Sequence, residues 1–303
     1  FKQNLTIILN DCGFDRISIG VQDFSQNVQT LINRKQSFEI TKETVNHLRE
    51  NNISNINIDL IYGLPKQTIQ TFTDTLEKIN TLKPDQISAF GYAHVPWMKK
   101  HQRLIKVKPL DNEYRLKFYR LASHYFLSNG YEPFGIDHYA AKSSSVIRNL
   151  KNRKLQRNFQ GYTEDDAEIL IGIGASSISY LPDGYVQNIT RIADYIRSLK
   201  KNKLPTLKGY KLKKEDKIYS IVIKELMCYL NVDLKQVAKK FSKDTNLFSS
   251  NIIKLKPFID AGFVDFHNFV LSINPEARPL VRIICSVFDQ YFEPKTNRYS
   301  FGI

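Results

Sequence analysis

The stretch that decides the fold is INIDLIYGLPKQT, residues 56–68. Over residues 56–62, β-branched and apolar side chains alternate with polar ones, which is typical of a β-strand, and Gly63 and Pro65 end that strand. A helix then begins near Thr68 and stops before Pro84. Its apolar positions recur at spacings of three and four and are Ile69, Phe72, Leu76 and Ile79.

The same pattern of a strand followed by a helix occurs on both sides of this stretch. RISIGVQ at residues 16–22 and QISAFGY at residues 86–92 are strand-like, and the segments between the three strands are helical. A strand, an amphipathic helix and a second strand within roughly 30–40 residues form a βαβ unit, and its repetition predicts a parallel sheet. Further helices are predicted at residues 3–12 and at about residues 112–128.

The beginning of the chain leaves one edge of this sheet uncovered. The helix at residues 3–12 leads directly into the first strand, and no strand precedes it. A three-stranded parallel sheet with an open edge is poorly closed. Residue 1 is phenylalanine rather than methionine. We therefore expect earlier βα units to be missing and the chain to be a fragment of a longer protein.

The second half of the sequence predicts a helix at about residues 165–175, a lysine-rich linker at residues 200–214 and a separate C-terminal domain. That domain opens with a helix around Val222. A hairpin follows, with strands FVDF (263–266) and FVLSI (269–273), and Asn274 caps a final helix. Helices followed by a hairpin resemble a winged-helix topology. The predicted domains are residues 1–204 and 205–303.

The composition limits the classes of protein to consider. The chain has 303 residues, of which 42% are hydrophobic and 24% charged, as in an ordinary soluble protein, and it has no apolar run near the roughly 20 residues of a membrane span. Cys12, Cys228 and Cys285 lie too far apart to predict a metal site, and the latter two sit in apolar stretches that suit a reducing cytoplasm. The net charge of +14 comes from scattered lysines, so we expect a solvated basic surface.

Six strings occur in order along the chain. They are GVQDF (20–24), Asn33-Arg34, NIDLIYGLPKQT (57–68), GIDH (135–138), RNFQGYT (157–163) and GIGASSIS (172–179). Together they resemble the radical S-adenosylmethionine (radical SAM) enzymes of the coproporphyrinogen oxidase family. The resemblance covers essentially the whole chain, and it is specific because all six strings keep the family's order.

This resemblance implies an incomplete (β/α)6 barrel, of which the chain would hold the last three βα units, followed by a small helical, winged-helix-like domain. It implies a cytoplasmic oxidoreductase of porphyrin and haem biosynthesis, an oxygen-independent coproporphyrinogen III oxidase. In that family a reduced four-iron four-sulfur (4Fe-4S) cluster cleaves S-adenosylmethionine to a radical that takes a hydrogen from a propionate. Loss of carbon dioxide and an electron leaves a vinyl group, and two such steps convert coproporphyrinogen III to protoporphyrinogen IX.

The sequence departs from the family at the cluster. The family holds its cluster with a CxxxCxxC motif after the first barrel strand, and no such motif occurs here. We therefore expect no metal ligands in this chain and no activity of the chain alone. The implied partners are coproporphyrinogen III, S-adenosylmethionine, an electron donor and the missing N-terminal portion; no membrane partner is expected.

The resemblance also implies the residues that bind ligand. Gln22, Arg34, Asp59 and Ala93 match positions around a second S-adenosylmethionine, and Ile178 matches a position that contacts the first. Ligands of barrels meet the C-terminal ends of the strands, toward which Gln22 and Asp59 lie. From the residues alone, a structural alternative stays open for Asp59, which is that its carboxylate pairs with Arg16 or Arg34.

Two other functions remain as alternatives. One is a haem-binding, chaperone-like relative, whose usual histidine and Tyr-Trp string is replaced here by NFQGYT at residues 158–163. The other is a winged-helix nucleic-acid-binding protein, and against it the second helix of that domain is as apolar as it is basic. His94 and His138 stand beside strand ends or turns, where each is a proton donor or a structural residue.

Overall fold

A computed structural model describes residues 3–105, 107 and 110–293. The chain divides into two compact units. The first contains residues up to Arg153, together with 275–284 and the residues from Tyr291 onward, and the second contains Lys154–Asn274 with Cys285–Gln290. The domain boundary that we predicted between residues 204 and 205 stays a prediction.

The first unit is built on one five-stranded sheet in the order β1-β2-β3-β5-β4. Strands β1, β2 and β3 are parallel, as predicted, and β5 and β4 continue the sheet in antiparallel pairs. Its elements are α1 (Gln3–Asp11), β1 (Arg16–Gln22), α2 (Gln26–Leu31), α3 (Phe38–Glu50), β2 (Asn55–Tyr62), α4 (Ile69–Leu82), β3 (Gln86–Gly91), a 3-10 helix (Lys100–Leu104), α5 (Asn112–Ser128), β4 (Tyr131–Phe134), β5 (His138–Ala141) and α6 (Ser145–Lys151).

The two faces of this sheet differ in polarity. On β2 the buried positions alternate with partly exposed ones, and the buried ones are apolar. Helices α3, α4 and α5 cover that apolar face, with Leu48, Phe72 and Phe118 fully buried among its side chains. On the opposite face, β2 by itself contributes three polar residues, Asn55, Asn57 and Asp59. A sheet with one apolar and one polar face leaves the polar face available for ligands.

The outer edge of the sheet is β1, which in the described residues pairs only with β2. Beside it, α1 and the turn after it expose Leu5, Ile7, Ile8 and Phe14. An unpaired strand edge next to exposed apolar side chains favours association with another chain. We expect the isolated chain to self-associate, and sedimentation velocity over a range of concentrations measures this. A sharp monomer at all concentrations would contradict the expectation.

The second unit combines small sheets with a winged-helix motif. Its elements are β6 (Gln156–Asn158), β7 (Gly161–Thr163), β8 (Ile178–Leu181), β9 (Gly184–Asn188), α7 (Ile192–Lys200), β10 (Thr206–Lys211), α8 (Lys214–Tyr229), β11 (Asn231–Asp233), α9 (Leu234–Lys240), a 3-10 helix (Thr245–Phe248), α10 (Ser249–Asp260), β12 (Val264–His267) and β13 (Val270–Ile273). The predicted hairpin is confirmed as β12 and β13, and β11 completes a three-stranded sheet. The chain continues as a 3-10 helix (Pro275–Leu280) and α11 (Val281–Ser286). In the part of the chain that the structure describes, no helix combines the length and the apolar character needed to cross a membrane.

Two expectations for the second half of the sequence are wrong. Residues 165–175 do not form a helix, and Leu170 forms an isolated antiparallel bridge with Tyr180. Glycines at 172 and 174 disfavour a helix there. The lysine-rich stretch at residues 200–214 is not only a linker, since β10 lies within it and pairs with β9. Exposed lysines are compatible with an edge strand, because they discourage further pairing.

Candidate functional site

Gln22 and Arg34 come together at the C-terminal end of β1. The pairing of β1 with β2 is irregular between Gly20 and Gln22, and Gln22 has a φ of 70°, which non-glycine residues rarely adopt. The Nη2 of Arg34 donates a hydrogen bond to the carbonyl oxygen of Gly20 at 2.6 Å. A Cβ placed on Gly20 would lie 2.8 Å from Gln22 Nε2 and 2.9 Å from Arg34 Nη2. Glycine at position 20 therefore lets both side chains occupy the same small region.

Asp59 lies beside this pair on the neighbouring strand. Gly20 and Asp59 are register partners in the parallel pairing of β1 and β2, and adjacent strands stand about 4.8 Å apart. Ser18 Oγ donates to Asp59 Oδ2 at 3.0 Å, and Asn57 Nδ2 donates to Asp59 Oδ1 at 2.7 Å. Among the described residues no arginine forms an ion pair with Asp59, whose hydrogen-bond partners are Ser18 and Asn57.

A row of hydrogen-bonded polar side chains on three neighbouring strands holds Asp59 in place. Asn57 Nδ2 also donates to Ser18 Oγ at 2.9 Å, and Ser88 Oγ on β3 donates to Asn57 Oδ1 at 3.2 Å. Asn57 thus links three strands through one amide. The sequence analysis did not single out Ser18, Asn57 or Ser88, although polar residues at every second position of three strands were a signal for a polar sheet face.

Ala93 follows the third parallel strand, in the loop after β3. Its carbonyl oxygen accepts a hydrogen bond from Gln102 Nε2 at 3.0 Å, and Gln102 Oε1 accepts from the Val95 backbone N–H at 2.6 Å. Gln102 is buried and so fixes the shape of the loop that carries Ala93. His94 forms a hydrogen bond with the Tyr92 hydroxyl through Nδ1 at 3.2 Å. Ala93 is therefore at the predicted end of its strand, held by a glutamine that the sequence analysis did not identify.

Ile178 lies in the second unit, at the start of β8, where its register partner on β9 is Gln187. Gln22, Arg34, Asp59 and Ala93 all lie in the first unit. The structure therefore brings Gln22, Arg34 and Asp59 together, and the contact of Ile178 with a ligand stays a prediction.

His138 stands on the same sheet as Asp59 and has an acidic neighbour. His138 pairs in register with Ser88 on β3, and its Nδ1 lies 2.8 Å from Asp137 Oδ1. Arg282 Nη2 donates to the other oxygen of Asp137 at 3.1 Å. Burial acts to raise the pKa of Asp137, but the hydrogen bond and charge of His138 and the charge of Arg282 outweigh it, so this pKa lies below its usual value. Asp137 is therefore a carboxylate anion, and its hydrogen bond orients the His138 ring.

The three cysteines do not form a cluster site. Cys12 is exposed in the first unit, and Cys228 and Cys285 are buried in the second. Burial raises the pKa of the Cys285 thiol to about 12, so it is protonated at neutral pH, whereas iron–sulfur clusters need thiolates. In the described ranges, no three side chains of His, Cys, Asp or Glu come together in a way that could hold a metal ion. These residues do not fit a four-iron four-sulfur cluster.

Three comparisons relate this fold to known proteins. Residues 6–79, which carry Gln22, Arg34 and Asp59, match the Radical SAM superfamily. The chain is similar to the anaerobic coproporphyrinogen III oxidase 1 of Cereibacter sphaeroides, with 41% identity over 96% of this chain and 65% of that protein. It is also similar to the oxygen-independent coproporphyrinogen III oxidase of Helicobacter pylori, with 37% identity over 96% of this chain and 64% of that protein.

A solved structure agrees with these matches. The coproporphyrinogen III oxidase of Escherichia coli, described as a radical SAM enzyme, superposes with a TM-score of 0.91 at 33% identity, over 96% of this chain and 68% of that one. The fold is therefore that of a radical SAM protein, and the predicted fold class is confirmed. The chain spans about 65% of the length of the Cereibacter relative. Within the superfamily, it belongs to the coproporphyrinogen III oxidase family.

Proposed function

We propose that this chain binds S-adenosylmethionine at the C-terminal ends of β1 and β2 and acts in the oxidative decarboxylation of coproporphyrinogen III. In the net reaction each of two propionates loses carbon dioxide, a hydrogen atom and an electron and becomes a vinyl group, giving protoporphyrinogen IX. An electron acceptor and a source of the hydrogen-abstracting radical are needed for this reaction. No step is assigned to a cluster, because the described residues do not fit one.

The observation that supports this proposal is the convergence of an amide, a guanidinium and a carboxylate on one sheet face. S-adenosylmethionine carries a carboxylate, an ammonium group, a sulfonium group and ribose hydroxyls. The Arg34 guanidinium and the Gln22 amide can donate hydrogen bonds to the ligand carboxylate. Asp59 can accept from the ammonium group or a ribose hydroxyl, and its position is fixed by Ser18 and Asn57. The chemistry of this donor set fits the ligand.

The proposal is tested by equilibrium dialysis of the chain against labelled S-adenosylmethionine, with S-adenosylhomocysteine as a competitor. We expect binding of one equivalent, lost in the double variant Gln22→Ala with Arg34→Ala. The double variant keeps the Asp59 network, so its thermal midpoint should stay within a few degrees of the wild type. Binding that survives this double variant would place the ligand elsewhere and contradict the site.

A second expectation concerns iron. Because the sequence has no CxxxCxxC motif and two of its three cysteines are buried, anaerobic reconstitution of the chain with iron and sulfide should give no stoichiometric cluster. Iron and sulfide analysis after desalting, together with the visible absorbance, measures this. One cluster per chain that survives desalting would contradict the expectation.

The alternatives gain no support from the comparisons. The Cereibacter, Helicobacter and Escherichia proteins are named as coproporphyrinogen III oxidases, not as haem chaperones or nucleic-acid-binding proteins. The cytoplasmic location and the electron donor stay predictions.

A further inference from the structure

A buried carboxylate lies directly after the proposed ligand residue Gln22. Asp23 is fully buried, and burial raises the pKa of its carboxyl group, against the opposing effect of its hydrogen bonds. Its Oδ1 accepts from the Ser25 backbone N–H at 2.5 Å and from Thr75 Oγ1 at 3.3 Å, and its Oδ2 accepts from Gln67 Nε2 at 2.5 Å. The Asp23 carboxyl group does not contact solvent, and both of its oxygens accept hydrogen bonds from the protein.

Gln67 connects this carboxylate to the end of β2. Its Oε1 accepts from the backbone N–H groups of Gly63 and Leu64 at 2.6 and 3.2 Å, and its Nε2 also donates to the Ile61 carbonyl oxygen at 3.1 Å. The amide of Gln67 thus cannot turn over without placing its N–H groups against two other donors. Its orientation is set, and it presents a donor to Asp23.

Gln29 connects the same segment to the loop that carries Arg34. Its Nε2 donates to the backbone carbonyl oxygen of Asp23 at 2.8 Å and to that of Gln36 at 2.6 Å, while its Oε1 accepts from the Gln36 N–H at 3.0 Å. The backbone N–H of Arg34 donates to the Gln29 carbonyl oxygen at 2.9 Å. Asp23, Gln29 and Gln67 are all buried and are called the buried hub below.

We propose that Asp23 is a positioning residue, which acts through the buried hub to hold Gln22 and Arg34 in the geometry that binds ligand. Gln22 sits in a backbone conformation that is costly for a residue with a side chain, and such a conformation persists only where its surroundings fix it. The hub supplies that constraint in two ways, through Asp23, which is adjacent to Gln22, and through the loop that carries Arg34. This proposal rests on the proposed function for its ligand, S-adenosylmethionine, and goes beyond it by naming residues that do not touch the ligand.

The test compares Asp23→Asn with a matched control at the opposite end of the same sheet. Asp85 precedes β3, and its Oδ2 accepts from the Ile56 backbone N–H at 3.0 Å. Asp85→Asn weakens the sheet at the N-terminal ends of its parallel strands, away from Gln22. We expect both variants to lower the thermal midpoint, but only Asp23→Asn to raise the Kd for S-adenosylmethionine, by about tenfold or more, as loss of about 1.4 kcal/mol of binding would do.

A reciprocal exchange makes the test specific. In Asp23→Asn, an amide oxygen that keeps the bonds from Ser25 and Thr75 leaves the new NH2 group facing Gln67 Nε2, so two donors oppose each other. Adding Gln67→Glu restores a donor and an acceptor, at the loss of the bond to Ile61. We expect this double variant to recover most of the lost affinity. In a Gln22→Ala background, Asp23→Asn should cause a smaller loss than in the wild type, because the part that acts through Gln22 is already gone and only the part that acts through Arg34 remains.

Each outcome decides the proposal. Equal losses of affinity in Asp23→Asn and Asp85→Asn, or a lowered midpoint with unchanged Kd in Asp23→Asn, would overturn it. If Asp23→Asn does not fold, Gln29→Met takes its place and should weaken binding through the Arg34 loop. If the wild-type chain binds no S-adenosylmethionine, the proposed function fails, and amide hydrogen exchange decides the positioning role. Asp23→Asn must then speed exchange over residues 22–36 more than Asp85→Asn does, and failure to do so would overturn the inference.

Discussion

Replacing Asp59 with Ala is expected to weaken S-adenosylmethionine binding by roughly 10- to 150-fold. A hydrogen bond to a charged group is worth about 1.5–3 kcal/mol, and each 1.4 kcal/mol changes Kd about tenfold. Asp59 is suited to that role because Ser18 and Asn57 hold both of its oxygens and no cation neutralises it in the described residues. Equilibrium dialysis or isothermal titration calorimetry of the purified chain measures the change.

The charge of Asp59 and its hydrogen-bond network can be separated experimentally. In Asp59→Asn the side-chain oxygen can still accept from Asn57, and the Ser18 hydroxyl can turn to accept from the new amide. We expect Asp59→Asn to keep the thermal midpoint near that of the wild type and to lose most of the affinity that depends on charge. If Asp59→Ala lowers the midpoint sharply and leaves the binding of the folded fraction unchanged, Asp59 is structural and its assignment is wrong.

How much of the fold the sequence could predict depended on how local each signal was. The strand at residues 56–62 and the helix after it followed from periodicity, and in the structure Thr68 is the N-cap of that helix, with a capping box to Thr71. Strands β4 and β5 were missed because each has four residues and β4 contains Pro133, which is compatible with its place at the sheet edge. The helix predicted at about residues 165–175 does not form, and the glycines at 172 and 174 disfavour it.

The candidate site likewise contains features that the sequence could predict and features that it could not. Because parallel strands end at one edge of the sheet, the proximity of Gln22 and Asp59 could be inferred once both strands were predicted. The role of Gln67 could not, since its partner Asp23 is 44 positions away in the sequence and a buried glutamine has no local pattern. The position of Arg34 over Gly20 depends likewise on a loop whose shape Gln29 sets.

A second large effect is expected at Arg115 on α5, where replacement by Met should stabilise the chain. Arg115 is only 9% exposed, its Nε is buried without a hydrogen-bond partner, and among the described residues no carboxylate forms an ion pair with it. Leaving a buried polar group unsatisfied costs about 1–3 kcal/mol, more for a charged group. Methionine keeps the unbranched stem that packs over Gly63 while removing the charge. We therefore expect the free energy of unfolding to rise by about 1–3 kcal/mol.

Two further variants of α5 separate charge from packing in this prediction. Arg115→Ala removes the stem as well as the charge and leaves space above Gly63 and Gly91, so its gain should be smaller or reversed. Arg120→Met changes an exposed arginine of the same helix and should alter stability by less than about 0.5 kcal/mol. Urea denaturation followed by circular dichroism measures all three variants. Since a buried guanidinium lowers stability only while it lacks an anion, a loss of stability in Arg115→Met would mean that Arg115 has an anionic partner in solution, and the prediction would be wrong.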